Sequence, residues 1–166
     1  MKCGIILYDI DKLGYFMKEQ LQTMATEDIM NELEPLITVD PEDMNLDQIS
    51  LKIGRSWMAV QRHYLREGRY LEFLNGRFRQ IDLYLRRYYA GELPPNIYAD
   101  RPLKVRPLKS DLDTWVKADD DYVELSVLLQ EQKAKVKFIE TCLDRLNKLG
   151  YEVKNAIEWR KYLDGV

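Results

Sequence analysis

The middle of the chain alternates apolar and polar residues with the spacing of an amphipathic helix. Apolar side chains recur every three or four residues from Leu46, pause near Gly68, and resume at Leu71. The two runs consist of Leu46, Ile49, Ile53, Trp57, Val60 and Tyr64, then Leu71, Leu74, Phe78, Ile81, Leu85 and Tyr88. This pattern fits either one bent helix or a helical hairpin that turns near Glu67-Gly68. We favour the hairpin because each glycine costs a helix about 1 kcal/mol.

A second apolar pattern extends from Asp119 to Leu149 and predicts the longest uninterrupted helix. Asp119 suits a helix start, since its side chain can cap and nearby acids favour the helix dipole. Apolar residues then fall at heptad positions, and they either pack on the chain's own hairpin or form a seam between subunits. We favour self-association. Its predicted residues are Leu125, Leu128, Leu129, Val136, Ile139, Leu143 and Leu146, with Trp159 of a short terminal helix.

Helix-breaking residues divide the remaining chain. Pro35 is expected to stop a first helix at Glu34, Gly91 to end the basic helix, and Gly150 to end the long one. The prediction is a mainly α fold with short strands considered at 103–106 and 151–154. Its parts are a disordered N-terminal extension at 1–26 with Met24 as the natural start, a basic helical region at 27–95, a linker at 96–117, and oligomerisation helices at 118–166.

Charge is distributed very unevenly, although the chain as a whole carries only −3. Residues 52–109 hold thirteen basic and five acidic side chains, a net +8, whereas residues 1–51 carry −8. Aromatic residues are interleaved with the basic ones. Cations for phosphates and flat rings for unpaired bases are what a single-stranded nucleic acid needs, but a solvated helix face over core aromatics has the same composition.

The residue types argue against catalysis and against a bound metal or cofactor. The two cysteines form no framework, and His63 is the only histidine. Neither a nucleophile with a base nor a glycine loop for phosphates is recognisable. The acids Asp119 to Asp121 lack the glycine turn and distal glutamate of a calcium loop. No apolar run reaches the roughly 20 residues of a membrane span. We therefore expect no enzyme, no cofactor and no membrane association.

The second half of the chain contains an ordered series of short motifs. They are Tyr88-Tyr89-Ala90-Gly91, Lys109-Ser110-Asp111-Leu112, Ala118-Asp119-Asp120-Asp121, Cys142 in the long helix, Gly150-Tyr151, Val153-Lys154, Trp159-Arg160, Tyr162 and Gly165. In this order the motifs resemble the UvsY family of recombination mediators from T-even-type phages, and most closely its marine-phage relatives. The resemblance covers about residues 27–166.

That resemblance implies a non-enzymatic, ring-like homo-oligomer that acts in the cytoplasm of the infected host cell. Its implied partners are single-stranded DNA, a RecA-like phage recombinase and the phage single-stranded-DNA-binding protein. Family members loosen the single-stranded-DNA-binding protein from DNA and help the recombinase filament to nucleate. In the family, basic residues just before the Tyr-Tyr-x-Gly segment are implicated in DNA binding, so residues 27–95 are the predicted DNA-binding region. Together with the basic linker, this gives the predicted DNA-binding residues Arg77, Arg79, Arg86, Arg87, Tyr88, Tyr89, Arg101, Lys104 and Arg106.

The same residues also allow a different class of function. An all-helical scaffold or adaptor could use the same basic face to bind an acidic protein partner. Salt dependence distinguishes the two hypotheses, because binding to single strands weakens by roughly 0.7 log units per log unit of salt for each phosphate contacted.

Overall fold

The computed structural model describes residues 24–38 and 45–165, for Asp47 the backbone alone, so most of the expected N-terminal extension lies outside it. These residues form α-helices and loops and contain no strand, which confirms the mainly α fold. None of the helices described is both long and apolar enough to cross a membrane. The helices are α1 (Thr26–Ile37), α2 (Leu46–Ala90), α3 (Pro95–Asp100), α4 (Leu112–Lys117) and α5 (Asp120–Leu163).

Helix α2 is continuous, so the turn expected near Glu67-Gly68 is not formed. Glu67 is fully buried and ion-paired, and the apolar residues on both sides of Gly68 are buried as well. The helical period of burial continues from Val60 through Tyr70 to Leu74. Because that burial stabilises the helix, it outweighs the cost of about 1 kcal/mol that Gly68 and Gly76 each impose.

Helix α5 also runs farther than the sequence pattern indicates. Gly150 lies inside it, and residues 151–154 are helical rather than extended. Leu146, Leu149 and Val153 are buried at helical spacing, which keeps the backbone helical through the glycine. The short terminal helix predicted around Trp159 is thus part of α5 rather than a separate helix. The segment 103–106 is an irregular loop bounded by Pro102 and Pro107.

Helix α1 does not end at Glu34, because Pro35 lies within its last turn. Leu36 and Ile37 continue the helix and pack against the nearby core. Thr38 then ends it in an extended conformation. Its hydroxyl and its backbone N–H both donate to the Glu34 carbonyl, at 2.8 Å and 3.1 Å, which fixes the last turn.

The described residues form two compact units, and α2 and α5 contribute to both. The bundle unit comprises 24–68 and 134–165, and the loop unit comprises Arg69–Lys133. In the bundle unit, α1 packs against α2 and α5 through an aliphatic core. Its fully or nearly fully buried members are Ile29, Leu33, Val60, Ile139, Cys142, Leu146 and Leu149.

The loop unit contains α3, α4 and the connections between α2 and α5. Its core is rich in tyrosine, with Tyr88, Tyr89 and Leu85 buried around Val116 of α4. A second cluster in the same unit joins Tyr70 and Leu74 to Leu129. The segment 96–117, which the sequence predicts as a linker, therefore contains most of α3, all of α4 and several core side chains.

Candidate nucleic-acid interface

The C-terminus of α2 fixes the backbone around the predicted DNA-binding residues. Gly91 has φ 77°, its N–H donates to the Tyr88 carbonyl at 3.0 Å, and the Glu92 N–H donates to the Arg87 carbonyl at 2.9 Å. These two bonds form a Schellman motif, so the prediction that Gly91 ends the helix is confirmed. The Arg106 guanidinium donates to the Ala90 carbonyl, which holds the following basic loop beside this helix end.

Two of the predicted contact residues, Tyr88 and Tyr89, are buried in the loop unit. The Tyr88 ring stacks on Tyr98 at 5.4 Å and contacts Tyr89 edge-on at 5.1 Å. Burial, reinforced by the hydrogen bond to Asp119, raises the pKa of Tyr89 well above its usual value. In this structure the two rings have no free face for a base, so the interleaved aromatics reflect core packing here.

Arg101 also lies inside a network rather than on open surface. Its Nη2 donates to Asp119 Oδ2 at 2.7 Å, and its Nη1 donates to Asp121 Oδ2 at 3.3 Å. The Asp119 side chain is fully buried and also accepts from the Tyr89 hydroxyl at 2.7 Å. Burial opposes the charge on Arg101, but the two carboxylates outweigh it and raise the pKa of the guanidinium. Arg101 thus ties the loop to the start of α5.

Asp119 performs the cap that the sequence predicted for it. Its Oδ1 accepts from the Asp121 N–H at 3.1 Å, and its carbonyl accepts from the Val123 N–H at 2.9 Å. One buried carboxylate therefore starts α5 and binds Arg101 and Tyr89 at the same time. Burial raises the pKa of Asp121, and the neighbouring charge of Asp119 raises it further.

Arg86 is engaged within the chain as well. Its Nε donates to Asp82 Oδ2 and its Nη2 donates to Asp113 Oδ1, each at 2.8 Å. These hydrogen bonds raise the pKa of Arg86. Lys117 forms a further ion pair with Asp113 at 2.6 Å. The two acids neutralise much of the charge that the sequence alone assigns to this position.

Arg77 is half-buried, and only its outer nitrogen has a partner among the described residues. Nη1 donates to Gln80 Oε1 at 2.9 Å, whereas the buried Nε has no hydrogen-bond partner there. The side chain therefore lies along the helix surface rather than pointing fully into solvent.

The remaining predicted cations, Arg79, Arg87, Lys104 and Arg106, are exposed. Arg79 and Arg87 are two helical turns apart on the solvent face of α2, and neither forms an ion pair with another described residue. Lys104 and Arg106 lie on the loop that Arg106 attaches to the end of α2. These four residues form the candidate cationic surface, which belongs entirely to the loop unit.

Five other exposed cations of the basic region are not among the predicted DNA-binding residues. Arg69 and Lys109 are exposed in the loop unit, and Lys52, Arg55 and Arg62 are exposed on α2 in the bundle unit. Arg55, Arg62 and Arg69 follow one another at intervals of seven, on the side of α2 opposite its buried apolar residues. That spacing is the signal by which the sequence could have placed them on one solvent-facing stripe.

Most predicted self-association residues are used within the chain. Ile139 and Leu146 are buried in the bundle-unit core, and Leu143 packs against it. Leu129 is buried in the loop unit, with Leu125 and Leu128 packed against the same cluster. Val136 is buried too. Trp159 differs from all of these because it is 62% exposed.

The last turns of α5 carry the exposed apolar surface that the predicted seam lacks. Trp159 stacks on Tyr162 at 5.6 Å, and Tyr162 is 74% exposed. Asn155 and Glu158 join them around a shallow pocket. Tyr151 and Leu163 are exposed as well. Large exposed apolar side chains that cluster in this way are typical of an interaction surface.

Comparisons with known proteins agree on one family. Among curated proteins, no sequence matches this chain. Its fold is similar to two crystal forms of the bacteriophage T4 recombination mediator protein UvsY. In one, the TM-score is 0.74 at 18% identity, over 86% of this chain and 99% of that chain. In the other, the TM-score is 0.67 at 16% identity, over 84% and 98%. A family model described as "Recombination, repair and ssDNA binding protein UvsY" matches residues 32–166. With most of its length matched, the chain belongs to the UvsY family of recombination, repair and single-stranded-DNA-binding proteins.

Proposed function

We propose that this protein is a non-catalytic recombination mediator. It binds single-stranded DNA as a homo-oligomer and helps a RecA-like phage recombinase load onto DNA covered by single-stranded-DNA-binding protein. The observation that carries the DNA contact is the group of exposed cations Arg79, Arg87, Lys104 and Arg106 beside the end of α2. Membership of the UvsY family supports the role in recombination.

The distribution of ion pairs supports assigning the contact to these four residues. Arg86 and Arg101 already have carboxylate partners, and removing them from those partners would leave acids unpaired. Arg79 and Arg87 have no such cost, since a phosphate would replace only water. Tyr88 and Tyr89 are buried and fix the end of α2, which carries these cations. They do not stack on bases.

Self-association explains how so small a surface can hold DNA. Each exposed cation–phosphate contact is weak and screened by salt. Several copies linked in one ring-like assembly raise the effective concentration of the remaining sites, so avidity rises by orders of magnitude. The exposed Trp159 and Tyr162 at the end of α5 supply apolar surface for such an assembly.

DNA binding is tested by reversing charge at two unpaired positions. R79E/R87E should weaken binding of a fluorescent single-stranded oligonucleotide by about tenfold or more, and should lower the slope of log affinity against log salt by about 1.4. K133E/K148E changes net charge equally at exposed α5 lysines outside the candidate surface and should have a small effect. Anisotropy measured across a salt series provides both numbers.

The outcome also decides between the two classes of function. If the wild-type protein does not bind the oligonucleotide even at low salt, the alternative of a helical scaffold for an acidic protein is favoured. If it binds and R79E/R87E binds equally well, the DNA contact lies elsewhere. Loading is measured separately, as nucleation of recombinase filaments on an oligonucleotide coated with single-stranded-DNA-binding protein. The wild type should shorten the lag before filament growth, and R79E/R87E should not.

A further inference from the structure

One solvent face of α2 in the bundle unit combines large apolar residues with cations. Leu51, Met58 and Leu65 are 76%, 51% and 52% exposed and follow one another at intervals of seven. Arg55 and Arg62 lie between them on the same side of the helix and are also exposed. Neither arginine forms an ion pair with another described residue. A helix face of this kind is suited to an acidic, partly apolar partner helix.

The chain itself contains a helix with the complementary character. Helix α1 has four acids and no basic residue. Its core side carries Ile29 and Leu33, whereas Glu27, Met30 and Glu34 are exposed, Met30 by 43%. Neither Glu27 nor Glu34 forms an ion pair with another described residue. Glu32 is set apart, because it contacts His63 Nε2 at 3.3 Å within the bundle unit.

The two faces match in spacing as well as in charge. On α1, Glu27, Met30 and Glu34 occupy positions i, i+3 and i+7. On α2, Arg55, Met58 and Arg62 occupy the same three relative positions. The charges at the ends of each set are separated by about 10.5 Å along the axis, from seven residues at 1.5 Å each. Two helices packed side by side could therefore form both ion pairs with the methionines in contact between them.

These faces cannot meet within one chain. Helix α1 packs through Ile29 and Leu33 into the cluster that contains Val60 of α2. Val60 is two residues from both Met58 and Arg62, and on a helix with 3.6 residues per turn it points to the opposite side. The face formed by Leu51, Arg55, Met58, Arg62 and Leu65 is therefore turned away from the chain's own α1. A second copy of the chain can supply the missing helix.

We propose that α1 of one copy docks on this α2 face of the next copy. The proposal rests on the self-association in the proposed function and gives it a specific surface. The contact joins two different surfaces, so a docked pair of copies still has one free α1 and one free α2 face. Repetition of such a contact produces a closed ring or an open chain. DNA fits this face less well, because unpaired bases stack on aromatic rings, whereas the large exposed side chains beside these arginines are Leu51, Met58 and Leu65.

Charge exchange between the two faces is the test. R55E/R62E and E27R/E34R should each raise the dissociation constant for self-association about tenfold or more in sedimentation-velocity runs at low salt, because two attractive pairs become repulsive. The variant with all four substitutions should regain assembly, since its faces are complementary again. An equimolar mixture of the two double variants should also assemble, because each supplies the face that the other needs.

Controls separate docking from folding and from overall charge. K133E/K148E should sediment as the wild type. Because acids in the first turn favour a helix, E34R alone, farther along α1, serves as a second variant if E27R/E34R melts early by circular dichroism. E34R should assemble less tightly than the wild type, and adding R62E to it should restore assembly.

Three results would overturn the proposal. The first is wild-type sedimentation of both double variants. The second is failure of the fourfold variant and of the mixture to recover assembly while all variants remain folded. The third is loss of oligonucleotide binding in R55E/R62E with unchanged sedimentation, which would assign this face to DNA. A wild-type protein that sediments as a single subunit would instead contradict the self-association in the proposed function, and this inference with it.

Discussion

The bundle unit and the loop unit contain parts of the same two long helices but have different kinds of core. The bundle unit is closed by one more helix, and its buried residues are mainly aliphatic. The loop unit is closed by short helices and irregular chain, and its core relies on tyrosines. A helix satisfies its own backbone hydrogen bonds, whereas a loop packed against a core needs outside partners. The different cores follow from this difference.

Tyrosine hydroxyls supply those partners in the loop unit. Tyr88 Oη donates to the Arg101 carbonyl at 3.0 Å, and Tyr98 Oη donates to the Tyr88 carbonyl at 2.9 Å. Tyr98 Oη also accepts from the Leu93 N–H at 3.2 Å. A phenol buries a large apolar ring and still offers one polar atom at its edge. The same residues thus pack the core and hold the loop that carries Lys104.

The bundle unit contains an ion cluster around two buried charged side chains, Glu67 and Lys135. Glu67 is fully buried, and its Oε2 lies 3.4 Å from Lys135 Nζ, while its Oε1 accepts from Arg66 Nε at 3.3 Å. Lys135 Nζ also donates to the Met24 carbonyl at 2.7 Å. Helix-on-helix packing therefore includes a few charged groups that must be paired to be tolerated.

The largest effect is expected from a charge in the aliphatic core. I139D should prevent folding of the bundle unit or destabilise it by more than about 3 kcal/mol, because it removes a fully buried side chain and buries a carboxylate. Urea denaturation followed by circular dichroism measures this, with T141D on the exposed side of α5 as control. A folded I139D that has only lost self-association would instead support the intersubunit seam predicted from the heptads.

Breaking the ion cluster should have the next largest effect. E67A leaves Lys135 buried without its carboxylate and should cost about 3–5 kcal/mol of unfolding free energy. Replacing both residues, as in E67L/K135M, should recover most of that loss because no buried charge remains. Equal stability of E67A and the wild type in urea would mean that water reaches this cluster.

A smaller loss is expected from the polar network of the loop unit. Y89F removes one hydrogen-bond donor from the buried Asp119 and should cost about 1–3 kcal/mol. Hydrogen exchange should increase in the loop unit more than in the bundle unit. Y162F, which alters an exposed phenol, is the control. Uniform exchange across both units would argue against their separate cores.

The mildest test measures the reactivity of a buried thiol in the bundle core and substitutes no core residue. Cys142 is buried, and burial raises the pKa of its thiol, so a disulfide reagent should modify it slowly in the folded protein. In a C3S background the rate should rise at least about tenfold in denaturant. A C3S/C142S/S110C variant, with its thiol on the exposed part of the loop unit, should react rapidly in both conditions. Fast native labelling of Cys142 would indicate a loosely closed core.

Short-range signals in the sequence predicted local features well. Gly91 ends α2 and Asp119 caps α5 because each acts on hydrogen bonds within a few residues of itself. The other glycines and the proline used as helix-end signals were less informative. Gly68, Gly150 and Pro35 all lie inside helices, where tertiary burial of their neighbours outweighs their local preference.

The candidate site shows the same limit more sharply. Counting charge identified the basic region, but it could not distinguish Arg87, which is exposed without an ion pair, from Arg86, which binds Asp82 and Asp113. Asp113 is 27 residues from Arg86 along the chain, and only the fold brings them together. The apolar heptads of α5 likewise could not show whether Ile139 meets its own chain or another copy, and it is buried in its own.

The position of the basic loop depends on an uncharged residue, because the Arg106 side chain lies close to Gly91. A Cβ added at position 91 would lie 3.0 Å from Arg106 Cζ, on a backbone with φ +77° that other residues rarely adopt. Replacing this glycine would therefore push the guanidinium off the Ala90 carbonyl, so that Arg106 would no longer tie its part of the loop to the helix end. If the exposed cations bind DNA as proposed, this change would lower DNA affinity while every arginine and lysine remains in place.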